Sequence, residues 1–66
     1  MRISLNGREV DTADGSTVGD LVREYSSQQR RVAVARNGEV VPRGDWEDTR
    51  VADGDLIEVL APVAGG

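Results

Sequence analysis

The chain has no cysteine, no histidine and no phenylalanine, and its eight basic residues are all arginine. Each absence closes off a class of chemistry. Without cysteine there is no disulfide, no thiolate nucleophile and no persulfide held on a side chain. Without histidine the usual proton shuttle and metal ligand are gone. Self-contained catalysis, a bound cofactor and a metal site are therefore not expected. Without lysine, no side-chain amine is available to link one copy to another. Met1 to Leu5 carries no long apolar run, so neither a signal peptide nor a membrane span is expected, and the cytoplasm is the default compartment.

What is present is acidic. Twelve Asp and Glu against eight Arg give a net charge of −4. That balance argues against nucleic acid, which calls for a basic face, and fits a surface steered toward a basic partner. Sixty-six residues make one domain, which buries only ~60% of the surface its unfolded chain exposes.

Taken in order, Arg2 to Leu5 alternates polar and apolar residues, a half-buried strand with Ile3 and Leu5 on one face. Asn6-Gly7 is a two-residue hairpin signal. Arg8 to Thr12 returns as a charged edge strand. After the Ala13–Ser16 turn, Thr17 and Asp20 form an imperfect capping box, with Asp where Glu or Gln is usual. Val18, Leu21, Val22 and Tyr25 then make one helical stripe, so the spacing predicts a helix from about Val18 to about Ser26, weakened slightly by Gly19. Ser26 to Arg31 is polar and reads as a loop. Val32-Ala33-Val34-Ala35 is a strand expected to have cover on both faces. Asn37-Gly38 is a second hairpin signal, Glu39–Val41 a short strand, and Pro42 its end. Trp46, in an irregular stretch, is expected to cap the core with its indole N–H partnered.

Asp53-Gly54 turns into Leu56–Leu60, with Ile57 and Val59 toward the core. Leu56, Glu58 and Leu60 share the other face, where two exposed leucines point to a docking patch. One helix must cover one face of this small sheet. The hairpins make neighbours antiparallel, and the last strand is expected in the middle, parallel to the first. The division is a domain over residues 1–60 and a tail over 61–66.

The tail ends in Ala64-Gly65-Gly66. A glycine pair has no Cβ and adopts nearly any backbone angle, so it can thread a slot that rejects side chains. It would present the Gly66 carboxylate to another protein for activation, and a glycine carbonyl is open to attack from either side. Val63 and Ala64 join Leu56 and Leu60 as candidate docking residues. The tail is expected to be mobile when free and to order only on docking.

This element order with a terminal Gly-Gly resembles the β-grasp, ubiquitin-like fold: an α+β domain with a mixed sheet of four or five strands, one main helix and a flexible C-terminal tail. Within it the chain is similar to the ThiS family of thiamine-pathway sulfur carriers. The markers are Leu5-Asn6-Gly7, Val41-Pro42-Arg43 followed by Trp46, Asp53-Gly54-Asp55, and Ala64-Gly65-Gly66. The resemblance implies that a ThiF-type adenylyltransferase, related to ubiquitin-activating enzymes, uses ATP and Mg²⁺ to adenylate Gly66. A cysteine desulfurase or other sulfur donor then leaves a thiocarboxylate, and a ThiG-type thiazole synthase accepts the sulfur. The chain is then a co-substrate and not an enzyme, and a monomer when free. Other readings stay open: a molybdopterin synthase small subunit, a carrier for natural-product or tRNA sulfuration, a ubiquitin-like modifier, or a plain binding module.

Overall fold

Two Asn-Gly dipeptides set the framework. In a computed structural model, which describes residues 1–25 and 32–60, Asn6 and Asn37 both have φ 52°, followed by Gly7 at 82° and Gly38 at 85°. Positive φ at both central residues is the requirement of a type I′ hairpin, whose twist matches that of the flanking strands. The first hairpin pairs β1 (Arg2–Leu5) with β2 (Arg8–Asp11), from Arg2↔Asp11 to Leu5↔Arg8. The second pairs β3 (Ala33–Arg36) with β4 (Glu39–Val41).

The last strand, β5 (Leu56–Leu60), joins the two hairpins into a five-stranded sheet of order β2-β1-β5-β3-β4. It runs parallel to β1, with Ser4↔Leu56 and Leu5↔Ile57, and antiparallel to β3, from Ala33↔Leu60 to Arg36↔Ile57. The central, parallel placement expected for this strand is therefore found, and β2 lies at the edge.

One face of the sheet is closed by α1 (Val18–Tyr25). Val18, Leu21 and Val22 are buried with Ile3, Leu5, Val34, Val51 and Ile57 in one cluster. Tyr25, the fourth residue of the stripe, is 41% exposed, and its hydroxyl reaches the Asp11 carbonyl at 3.5 Å. Trp46 is buried, and its indole N–H donates to the Val41 carbonyl at 3.0 Å. A one-turn 3-10 helix at Arg43–Asp45 leads into it.

The start of α1 shows why its awkward residues are there. A helix leaves its first backbone N–H groups without intrahelical partners. Here the Thr17 N–H donates to Asp20 Oδ2 at 3.0 Å, and the Asp20 N–H to Thr17 Oγ1 at 3.1 Å. The box therefore closes in both directions despite its Asp. The Val18 and Gly19 N–H groups donate to the carbonyls of Thr49 and Trp46, at 2.8 and 3.1 Å. Gly19 is buried against this loop, and a Cβ there would collide with the Glu47 carboxylate. The glycine that weakens the helix in isolation thus leaves room for the Glu47 carboxylate that pairs with Arg23.

One expectation needs correction. Val32 to Ala35 was expected to have cover on both faces. Val32 and Val34 are buried, but Ala33 is exposed and Ala35 half-buried. The strand alternates, because α1 packs on the Val34 side alone. The expected loop over 26–31 and the helix end at Ser26 lie outside the described residues.

Replacing Thr17 with alanine removes the acceptor for the Asp20 N–H. The expected loss is about 1 kcal/mol, seen as a lower urea midpoint at unchanged slope, with Thr17→Ser restoring most of it. An unchanged midpoint in the alanine variant would show that the box does not hold the helix.

Candidate functional site: the open sheet face and the end of the central strand

The sheet face opposite α1 carries the exposed side chains of alternate strand residues. On β5 these are Leu56, Glu58 and Leu60, with Leu56 58% and Leu60 57% exposed. The register sets Ala33 of β3 beside Leu60, and Ala35 between Glu58 and Val40. Val40 is 73% exposed. The result is an apolar stripe across β5, β3 and β4, made low by two alanines and interrupted by one carboxylate. Toward β2 the same face turns polar, where Arg2 Nε meets Asp11 Oδ1 at 3.2 Å. Large contiguous apolar patches commonly mark interaction surfaces.

Leu56 and Leu60 thus stand on one face, as their spacing implies. Val40 and the two alanines extend the patch and were not singled out from the sequence. The signal was there in the alternation of valine and alanine over Val32–Ala35, where the small residues fall on the open side. Val63, Ala64, Gly65 and Gly66, the remaining candidates, lie outside the described residues, as does the division of the chain at residue 61. Trp46 spends its N–H internally and stands apart from the stripe.

The two ends of β5 are held by side chains whose role the sequence did not reveal. At its start, Asp55 is buried, and its Oδ2 accepts from the Ala52 N–H at 2.8 Å and Arg36 Nε at 2.7 Å. Its Oδ1 accepts from Asn37 Nδ2 at 3.0 Å. Burial by itself raises the Asp55 pKa, but the hydrogen bonds from Ala52, Arg36 and Asn37 outweigh it and hold the carboxyl below its ordinary value. Asn37 completes the bracket by accepting the Leu56 N–H at Oδ1, 2.9 Å, and donating its own N–H to the Leu56 carbonyl at 2.7 Å. At the far end Asn6 Oδ1 accepts the Val59 N–H at 2.8 Å, while Asn6 Nδ2 donates to the Val59 carbonyl at 3.2 Å. The leucines that border the open face therefore sit on a strand fixed at both ends.

Other features carry less chemistry. A shallow open hollow of about 220 Å³ lies beside β4, between Arg36, Val41, Asp45 and Thr49. That is below the ~300 Å³ at which small-molecule sites begin. Arg23 bridges Asp20 at 2.7 Å and Glu47 at 2.5 Å, tying α1 to the loop that caps it. Among the described residues no helix is long and apolar enough to cross a membrane.

With the face and the strand that leads to residue 61 in place, comparison with known proteins becomes specific. A family model described as the ThiS family matches residues 3–66. The Escherichia coli sulfur carrier protein ThiS is 36% identical over 66 residues, which is the whole of both chains. A thiazole synthase of Paramagnetospirillum magneticum is 38% identical over all 66 residues, and this chain spans 20% of that protein's length. Among solved structures, the thiamine biosynthesis protein ThiS of Geobacter metallireducens aligns over all of both chains with 36% identity and a TM-score of 0.84.

The Asp55 cluster predicts an acid response. A carboxyl held below its unfolded pKa contributes stability above that unfolded value and loses it as pH falls through the lower folded value. The stability gap between wild type and Asp55→Asn should therefore be widest near about pH 7 and shrink as pH falls from about 4 to about 2. Denaturant melts across that range check it. Some acid sensitivity remains in the variant, because Arg2 lowers Asp11, the Thr17 N–H lowers Asp20, and Arg23 lowers Glu47. A constant gap would show that Asp55 is not held ionised by this cluster.

Proposed function

The chain belongs to the ThiS family, and from this we infer that it is a sulfur carrier of thiamine biosynthesis whose Gly66 carboxylate is adenylated, converted to a thiocarboxylate and used as the sulfur source for thiazole formation. The observation that carries the reading is continuity. The exposed stripe of Leu56, Leu60, Ala33 and Val40 crosses β5, β3 and β4, and β5 is the strand whose sequence continues into residues 61–66. A partner seated on the stripe is then within six residues of sequence, about 20 Å of fully extended chain at most, of the acyl end.

The chemistry divides between this chain and its partners. The Gly66 carboxylate attacks the α-phosphorus of ATP, and pyrophosphate leaves. The carbonyl of the resulting acyl-adenylate is electrophilic, and with no Cβ on Gly66 it is approachable from either side. A sulfide equivalent supplied by a donor adds there, and AMP leaves with the electron pair of the broken C–O bond. The chain, which has no cysteine and no histidine, acts as co-substrate. ATP and Mg²⁺ belong to the ThiF-type adenylyltransferase. The likeness of all 66 residues to a fifth of a thiazole synthase supports an enzyme of that type as the sulfur acceptor. The net charge of −4 favours partners with basic docking surfaces.

Incubating the chain with an adenylyltransferase of this family, Mg-ATP and sulfide should exchange one oxygen of the terminal carboxylate for sulfur, seen by intact mass. Deleting Gly65 and Gly66 should abolish it. Leu60→Glu, which alters an exposed side chain, should leave the melting midpoint near wild type and raise the KM for the carrier about tenfold, the scale of one lost leucine contact. No exchange in the wild-type chain would overturn the reading, and an unchanged KM in the Leu60 variant would remove this face from docking.

A further inference from the structure

We propose that Asn6 is a positioning residue: its side-chain amide forms the last rung on the β1 flank of β5 and fixes the point from which residues 61–66 continue to the activating enzyme. The proposal rests on the carrier reading above and adds a residue to it.

The argument begins with which backbone groups face β1. The Ser4 N–H donates to the Asp55 carbonyl and the Asn6 N–H to the Ile57 carbonyl, both at 2.9 Å. Residues 55, 57 and 59 therefore turn their polar groups to that flank, while 56, 58 and 60 turn theirs to β3. At Val59 the β1 backbone has already left the sheet into the Asn6-Gly7 turn. The Asn6 side chain takes its place. An amide side chain has the donor and acceptor of a peptide unit, and this one pairs with both the N–H and the carbonyl of Val59. Leu60 is paired from the other flank by Ala33. The strand is thus held from both sides up to its final two residues.

Neither the turn nor the core explains this amide. A type I′ turn accepts glycine at its first central position as well as asparagine. Asn6 is also exposed, so water can replace its two bonds when it is removed, and no buried polar group is orphaned. What the amide adds is order at Val59, one residue short of the end of β5. That order lowers the entropy lost when the segment beyond it is captured, and preorganisation of this kind shows in affinity. Asn37 has the same φ of 52° and also reaches β5, but its bonds are to Asp55 and Leu56, at the end remote from residue 61.

The test is Asn6→Gly, which tolerates the positive φ and removes the rung, its added backbone freedom being offset by comparison with Asn6→Asp and Val51→Ala. Hydrogen exchange at the Val59 amide should accelerate about tenfold, and the KM for carrier adenylation should rise about five- to tenfold at unchanged kcat, the scale of one or two hydrogen bonds. Asn6→Asp keeps the acceptor for the Val59 N–H and loses the donor, and should fall between. Val51→Ala, a core truncation of similar or greater stability cost with no part in the rung, should leave KM unchanged at a temperature where all variants are folded. A rise in KM in the Val51 variant equal to that in Asn6→Gly would reduce Asn6 to a stability residue and overturn the proposal. So would equal Val59 exchange in wild type and Asn6→Gly, or equal KM values for the two. Failure of the wild type to be adenylated would overturn the carrier reading and this proposal together, and is told apart because the unmodified chain fails.

Discussion

Everything in this fold depends on the pairing of the first strand with the last. Only two register pairs, Ser4↔Leu56 and Leu5↔Ile57, join β1 to β5. They close a loop on the scale of the 51 residues that separate Arg2 from its Asp53 partner. For that length the length-dependent part of the closure entropy is about 3.5 kcal/mol. Burial of Ile3, Leu5 and Ile57 at the seam, each worth ~1.5–3 kcal/mol, exceeds it. The hairpins bring their own strands together locally, but without this seam they would be two separate ribbons with no shared core. The seam also puts the strand leading to residue 61 in the centre of the sheet, where both flanks can hold it.

The parts of the structure written in short-range chemistry were legible in the sequence. Asn6-Gly7 and Asn37-Gly38 specify their turns by backbone angle alone. The helical stripe follows from spacing, and Pro42 ends its strand because it has no N–H to donate. The parallel central strand was also legible, since a hairpin, a helix and a second hairpin leave the last strand a gap between the two ribbons. Leu56 and Leu60 could be assigned to the open side because β5 alternates.

What was not legible depends on residues brought together across the fold. The asparagines read as turn residues, yet their side chains bracket β5 from opposite ends, a role visible only once Val59 and Leu56 lie beside them. Asp55 entered only as part of the Asp53-Gly54-Asp55 marker, and it is buried at the meeting of Ala52, Arg36 and Asn37. Gly19 read as a weak point in a helix, because nothing in its neighbours announces that Glu47 and the Trp46 carbonyl arrive against it. Val32–Ala35 read as covered on both sides because alanine counts as apolar wherever it stands. In the fold its small side chain keeps the open face low beside Leu60.

The edges of the sheet decide how a partner can approach. An exposed edge strand offers unpaired backbone groups to any extended chain. Here β2 carries Arg8, Glu9 and Asp11 in four residues, and β4 is three residues long and followed directly by Pro42. Charge blunts one edge, while brevity and a missing N–H blunt the other. Strand addition is thereby disfavoured on both sides, including addition of a second copy. Among the described residues the exposed large apolar side chains other than Tyr25 lie on the face across β5, β3 and β4, which favours recognition by side chains over backbone pairing. Such recognition tolerates exchange of partners, because a face can be released without unzipping a ladder. The carrier role proposed above, an encounter with an activating enzyme and then with an acceptor, calls for that property, and a sheet with guarded edges and an open apolar stripe suits it.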